Sequence, residues 1–140
     1  MKLIKTILMP ALLLIFAAAG YGWYIFNKKP ADVRRQKADM EINAKDLLQL
    51  FQQNETAADA RYVDKVIIVS GIVQSMQTDA QGKTTISLDT GDPMAAVTCS
   101  FYNEETAAVK QINKGSRVHV KGICTGMLSD VILNKCSLVK

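Results

Sequence analysis

Lys114-Gly115-Ser116-Arg117-Val118-His119-Val120-Lys121-Gly122 joins a turn glycine, an alternating strand and a second glycine. Side chains of a strand point alternately to its two faces, so Val118 and Val120 are expected to face a core and Arg117, His119 and Lys121 to face out. Gly122 marks a place where such a strand bends. Downstream, residues 131–139 read as a final strand, reached through a turn at 125–130. Upstream, residues 84–89 alternate, with Ile86 and Leu88 against Thr85, Ser87 and Asp89. Residues 95–102 do the same, with Val97, Cys99 and Phe101 against Thr98, Ser100 and Tyr102. Residues 66–76 are β-branched and apolar, and Gly71 is expected to bend or bulge that strand.

Helical spacing flanks these strands. Asn43 is a plausible cap with Asp46 in the first turn, and Leu47, Leu50 and Phe51 recur on one face with Ala44 and Leu48 beside them. The alanine-rich stretch 54–62 extends this helical region. A second helix is expected over 103–113, with an Asn cap, two acids in its first turn and Ala107, Val109 and Ile112 as its apolar positions, before Lys114-Gly115 stops it. The order helix, three strands, helix, two strands predicts a mainly β fold with helices over residues 43–140. It is the layout of the OB-fold, a five-stranded, partly open Greek-key barrel.

Before the barrel, residues 6–26 run TILMPALLLIFAAAGYGWYIF, 21 residues without a charge. As a helix rising about 1.5 Å per residue, they span the roughly 30 Å hydrocarbon core of a bilayer. Residues 1–5 form a short basic N-terminus, 6–26 a single transmembrane helix acting as signal anchor, and 27–42 a charged linker without apolar periodicity. The other reading is a cleaved leader, with Ala17-Ala18-Ala19 as its cleavage site. Tyr21, Trp23, Tyr24 and Phe26 continue past that site to Lys28-Lys29, as an interfacial aromatic belt does. Basic residues flank both ends; a five-residue basic leader followed directly by an apolar run has the form of an export signal. The expected location is therefore a bacterial inner membrane, crossed once, with the C-terminal domain in the periplasm.

The formal charge of +4 divides unevenly. Residues 1–40 hold seven Lys and Arg against two acids, a net of +5, and residues 41–140 hold ten against eleven, a net of −1. The basic character belongs to the membrane-flanking segment, and the barrel is not basic.

The chain also resembles the tRNA_anti-like family of OB-fold proteins, frequent in Bacteroidetes. The resemblance covers roughly residues 44–139. It rests on Asn54-Glu55 with Ala58-Asp59 and Tyr62, Val69-Ser70-Gly71-Ile72-Val73, Leu88 with Gly91, Val97 with Cys99 and Phe101, and Lys121-Gly122-Ile123-Cys124-Thr125-Gly126. Asn27-Lys28-Lys29-Pro30 after a short apolar leader is similar to members that carry an anchor. The family name implies kinship of fold with tRNA anticodon-binding domains and transfers no function.

The candidate ligand face is the outward side of the second and third barrel strands, Thr85, Ser87, Thr98, Ser100 and Tyr102, joined by the basic line Arg117, His119 and Lys121. Nucleic-acid binding on an OB-fold needs stacking aromatics and a cationic groove there. The strand positions offer one aromatic and no Lys or Arg, so a protein, peptide or saccharide is the expected partner and single-stranded nucleic acid, bound on the cytoplasmic side, the alternative. No nucleophile elbow, phosphate-cradling glycine loop, zinc-protease motif or catalytic carboxylate pair is present, so no enzyme, small-molecule substrate, metal or cofactor is expected. Cys99, Cys124 and Cys136 lack zinc-site spacing. Cys124 with Cys136 is the candidate disulfide, as neighbours in the last hairpin, although a turn near Leu128 would set Cys124 opposite about Ile132. Three small buried hydrophobes are the alternative.

Overall fold

The structure is a computed structural model that describes residues 2–27 and 32–140, with side chains from residue 7 onward. It divides into two units, Met1–Ala31 and Asp32–Lys140. The first contains α1 (Lys2–Phe26). Within it Ile7–Phe26, of mean hydropathy 1.7, is long and apolar enough to cross a membrane, and none of that span is buried. Trp23 and Phe26 expose 74% and 93% of their surface, so no packing within this unit covers them. Lys2, Lys5, Lys28 and Lys29, expected to flank the span, lie outside the residues whose side chains are described.

The second unit runs β1 (Met40–Asn43), α2 (Ala44–Gln53), α3 (Glu55–Tyr62), β2 (Val66–Thr78), β3 (Thr84–Leu88), β4 (Val97–Phe101), α4 (Thr106–Val109), β5 (Arg117–Met127) and β6 (Val131–Leu138). The five strands β2 to β6 close into a barrel in the order β2-β3-β4-β6-β5, with β5 returning to pair with β2. All neighbours are antiparallel except β4 and β6, which are parallel. This is the expected OB-fold. Val97, Cys99 and Phe101 of β4 and Ile86 and Leu88 of β3 are buried, and Thr85, Ser87, Thr98 and Ser100 on the other side are half-exposed, as the alternation predicts.

Four expectations are corrected. The charged stretch 27–42 is not simply a linker. Val33 is fully buried in a 3-10 turn (Val33–Arg35), and β1 pairs in parallel with β2, Met40 opposite Ile67 and Ile42 opposite Val69. Two isolated apolar residues two apart and a lone valine carry too little periodicity to signal this. Secondly, Gly71 makes no bulge. It sits in regular register opposite Val118, and a Cβ there would lie 3.2 Å from the Cβ atoms of both Ala44 and Leu88, so glycine lets α2 and β3 approach β2. The irregularity falls between Val73 and Ser75. Thirdly, the helix over 103–113 shrinks to a 3-10 turn (Asn103–Glu105) and the single turn α4. Val109 is its one buried residue, whereas α2 buries Ala44, Leu47, Leu48 and Phe51, so α2 rather than α4 contributes the main helical packing. Asn43 caps α2 as expected, accepting from the Asp46 amide at 2.8 Å, and Asn54 starts α3 as a separate helix.

The fourth concerns the cysteines. All three are buried free thiols, and the Cys124–Cys136 pair is absent because Cys124 stands opposite Leu133. Lys135 is an extra residue in β6: Leu133 opposes Cys99 and Cys136 opposes Phe101, and across the other edge Asn134 opposes Ile123 and Ser137 opposes Lys121. The bulge turns Cys136 toward Cys99 and over Gly122. Burial, then Cys99, pushes the Cys136 thiol well above its ordinary pKa. A Cβ on residue 122 would meet Cys136 Sγ at 2.6 Å and the Asn134 carbonyl oxygen at 3.1 Å. Gly122→Ala is therefore expected to cost about 1–3 kcal/mol. Combined with Cys136→Ala it should cost less than the sum of the two single changes, because one collision is removed. Urea denaturation of the four chains measures this coupling.

Candidate ligand face

Period-2 alternation and register place five of the eight predicted residues together. Thr85 opposes Ser100 and Ser87 opposes Thr98 across β3 and β4. The hydroxyls of Thr85 and Ser100 lie 3.4 Å apart, and Thr98 Oγ1 donates to Asp130 Oδ2 at 2.9 Å. Asp130 Oδ1 also accepts from the Ala96 amide at 3.0 Å, so one carboxylate fixes the turn before β6 to the start of β4. Tyr102 follows at the other end of β4.

Arg117, His119 and Lys121 lie apart from this face. They stand on β5 opposite Ile72, Ser70 and Ile68 of β2. Two are engaged within the protein: His119 Nδ1 is 3.4 Å from Glu41 Oε1, and Lys121 Nζ donates to the carbonyl oxygens of Arg34 and Gln36 at 2.9 and 3.0 Å. Lys121 thus holds the N-terminal segment on the barrel instead of waiting for an anion. That segment also covers Tyr102. The Val33 amide donates to the Tyr102 hydroxyl at 3.3 Å, and the Arg34 guanidinium sits 4.8 Å from the ring centroid, within cation–π range. Arg34 is itself held by Asp32, at 2.7–3.0 Å to both carboxylate oxygens. Hydrogen bonding from Arg34 keeps the Asp32 carboxyl below its ordinary pKa, so this pair persists at neutral pH and is lost only as pH falls through that lowered value.

Beside Tyr102 opens a cleft of about 680 Å³, lined by Lys83, Tyr102, Asn103, Glu104, Asn134 and Lys135. None of these except Tyr102 was singled out from the sequence. Lys83 was legible, since it precedes Thr85 by two and belongs to the same face by alternation. Lys135 was not, because it reaches the cleft through a bulge with φ of 52°. The face therefore has two lysines at one end, where strand positions alone gave none. A second groove of about 460 Å³ lies between α3 and the β5–β6 turn, lined by residues including Glu55, Asp59, Val63, Met127 and Leu128. Among the described residues no group of His, Cys, Asp and Glu is arranged to hold a metal.

Lys121→Met removes both bonds to the segment carbonyls, each worth roughly 1–3 kcal/mol when the donor is charged. Tryptic cleavage after Arg34 and Arg35 in the folded chain should accelerate by about tenfold or more. An unchanged cleavage rate would show that Val33 burial alone holds the segment.

Comparison with solved structures shows the same fold. A lipoprotein from Klebsiella pneumoniae subsp. pneumoniae, described provisionally as nucleic acid-binding, aligns over 80% of this chain and 100% of its own, at 19% identity and a TM-score of 0.59. A protein from Leishmania major, described provisionally as an aspartyl-tRNA synthetase, aligns over 81% of this chain and 22% of its own, at 15% identity and a TM-score of 0.50. No curated protein matches. The sequence model of the tRNA_anti-like family matches residues 1–138, essentially the whole chain with its apolar helix, and this protein belongs to that family.

Proposed function

We propose that this protein is a non-catalytic OB-fold binding module, tethered by α1 to a bacterial inner membrane with the barrel in the periplasm, whose ligand lies on the outer face of β3, β4 and β6. The partner is a protein, peptide or saccharide. The observation that carries this reading is the composition of the face: four hydroxyls in two facing pairs, with a single aromatic already stacked by Arg34. Hydroxyls in facing pairs offer donors and acceptors to a polar ligand. The exposed apolar span and the aromatics near its end support the tether.

The competing reading, single-stranded nucleic acid, draws on the description of the Klebsiella lipoprotein. Each stacked base contributes about 1–3 kcal/mol through an open aromatic face. Here one ring is present and Arg34 covers one of its faces, on a domain without excess positive charge. Alkaline phosphatase fused to the C-terminus should be active in cells, and the full chain in detergent micelles should not bind oligothymidylate at physiological salt. An inactive fusion contradicts the location, and salt-sensitive micromolar binding of the oligonucleotide contradicts the ligand class.

A further inference from the structure

The cleft at the Tyr102 end of the face gathers donors that nothing in the protein uses. The ammonium groups of Lys83 and Lys135 have neither a hydrogen-bond nor an ion-pair partner among the described residues, and the side-chain amides of Asn103 and Asn134 are equally unengaged. Other polar groups nearby are spoken for: Thr84 Oγ1 lies 3.1 Å from Thr78 Oγ1, and the Tyr102 hydroxyl accepts from Val33. Lys135, moreover, occupies a left-handed backbone conformation, φ 52°, which is strained for a residue with a Cβ. Glycine would relieve that strain. The chain instead places a half-buried lysine there, at the bulge that delivers it to the cleft.

The distribution of charge along the face narrows the ligand. Cations stand at one end only. The middle is hydroxyl, from Thr85, Ser87, Thr98 and Ser100, and the far end closes on the Asp130 carboxylate. Glu104 borders the cleft itself. A polyanion laid along β3 and β4 would run from the lysines into Asp130. A ligand with one anionic group and hydroxyls beyond it meets the two ammonium groups, which outnumber Glu104 at the cleft, and then the hydroxyls and the accepting Asp130 carboxylate.

We propose that the Lys83–Lys135 cleft binds the carboxylate of an acidic saccharide whose neutral portion lies over the hydroxyls of β3 and β4. This rests on the ligand face proposed above and names the chemistry it takes. The amides of Asn103 and Asn134 supply donors beside the two ammonium groups, and charge-assisted bonds of this kind are about twice as strong as neutral ones.

The test is calorimetric titration of the full chain in detergent micelles with maltotrionate, a trisaccharide with a single carboxylate at one end, using maltotriose, inorganic phosphate and oligothymidylate for comparison. Maltotrionate should bind and maltotriose should bind more weakly. The double change Lys83→Met with Lys135→Met should weaken maltotrionate by about tenfold or more. Ser87→Leu, which fills the hydroxyl stretch without adding charge and spares the cleft, should weaken both saccharides, with unchanged thermal melting showing that each variant folds. Maltotrionate binding lost in the Ser87→Leu chain but unaffected by the lysine changes overturns the cleft assignment and leaves the ligand face standing. Binding that neither variant alters overturns both. Failure of maltotrionate to bind, displacement of it by phosphate at equal concentration, or tighter binding of oligothymidylate overturns the saccharide assignment.

Discussion

β2 pairs with β5 along its first half and with β3 along its second, and the barrel closes because of it. Residues 66–72 take β5 along one edge, Val66 opposite Ile123 through to Ile72 opposite Arg117, and β1 along the other. The irregularity between Val73 and Ser75 then passes the strand on to β3. A strand that serves three neighbours needs both length, 13 residues here, and close packing against what lies over it. Gly71 supplies the second, admitting Ala44 and Leu88 to 3.2 Å of where a Cβ would stand. Closure leaves no free edge between the first and last strands, and it fixes which side of β3 and β4 faces out.

A second irregularity sets the chemistry of that outward side. The extra residue in β6 at Lys135 has two consequences. It presses Cys136 against Gly122 and toward Cys99, and it brings a lysine to the Tyr102 end of the face. A buried cysteine and a half-buried cation are thus parts of one local deviation. The N-terminal segment completes the surroundings. Lys121 and the Tyr102 hydroxyl bind its backbone, and Arg34 covers the ring. Tyr102, the aromatic at the end of this face, is thus tied to the segment through both its hydroxyl and one face of its ring.

Much of this was legible in the sequence, for identifiable reasons. Alternation of Val97, Cys99 and Phe101 against Thr98 and Ser100 is a local property and reappears unchanged in the fold. The Asn43 cap and the Leu47–Phe51 stripe are local too. What sequence reading missed is non-local. Lys121 reads as a solvated cation because its partners, two backbone carbonyls, lie more than 80 residues away. Val33 has no periodic neighbours to announce its burial. The Lys135 bulge has no glycine to mark it, and the candidate cysteine pairing rests on hairpin neighbourhood alone, since the simple register already sets Cys124 opposite about Ile132. The helix over 103–113 had the right residue types, yet one buried valine gives little packing to extend it past a single turn.

Amide hydrogen exchange read by mass spectrometry on the full chain in detergent, with and without maltotrionate, tests most directly whether the outer face of β3, β4 and β6 is the ligand surface. A ligand on this face adds protection in peptides covering residues 83–88, 97–104 and 131–136, with little change in α3. Protection confined to the groove between α3 and the β5–β6 turn, or spread evenly over the barrel, would contradict it.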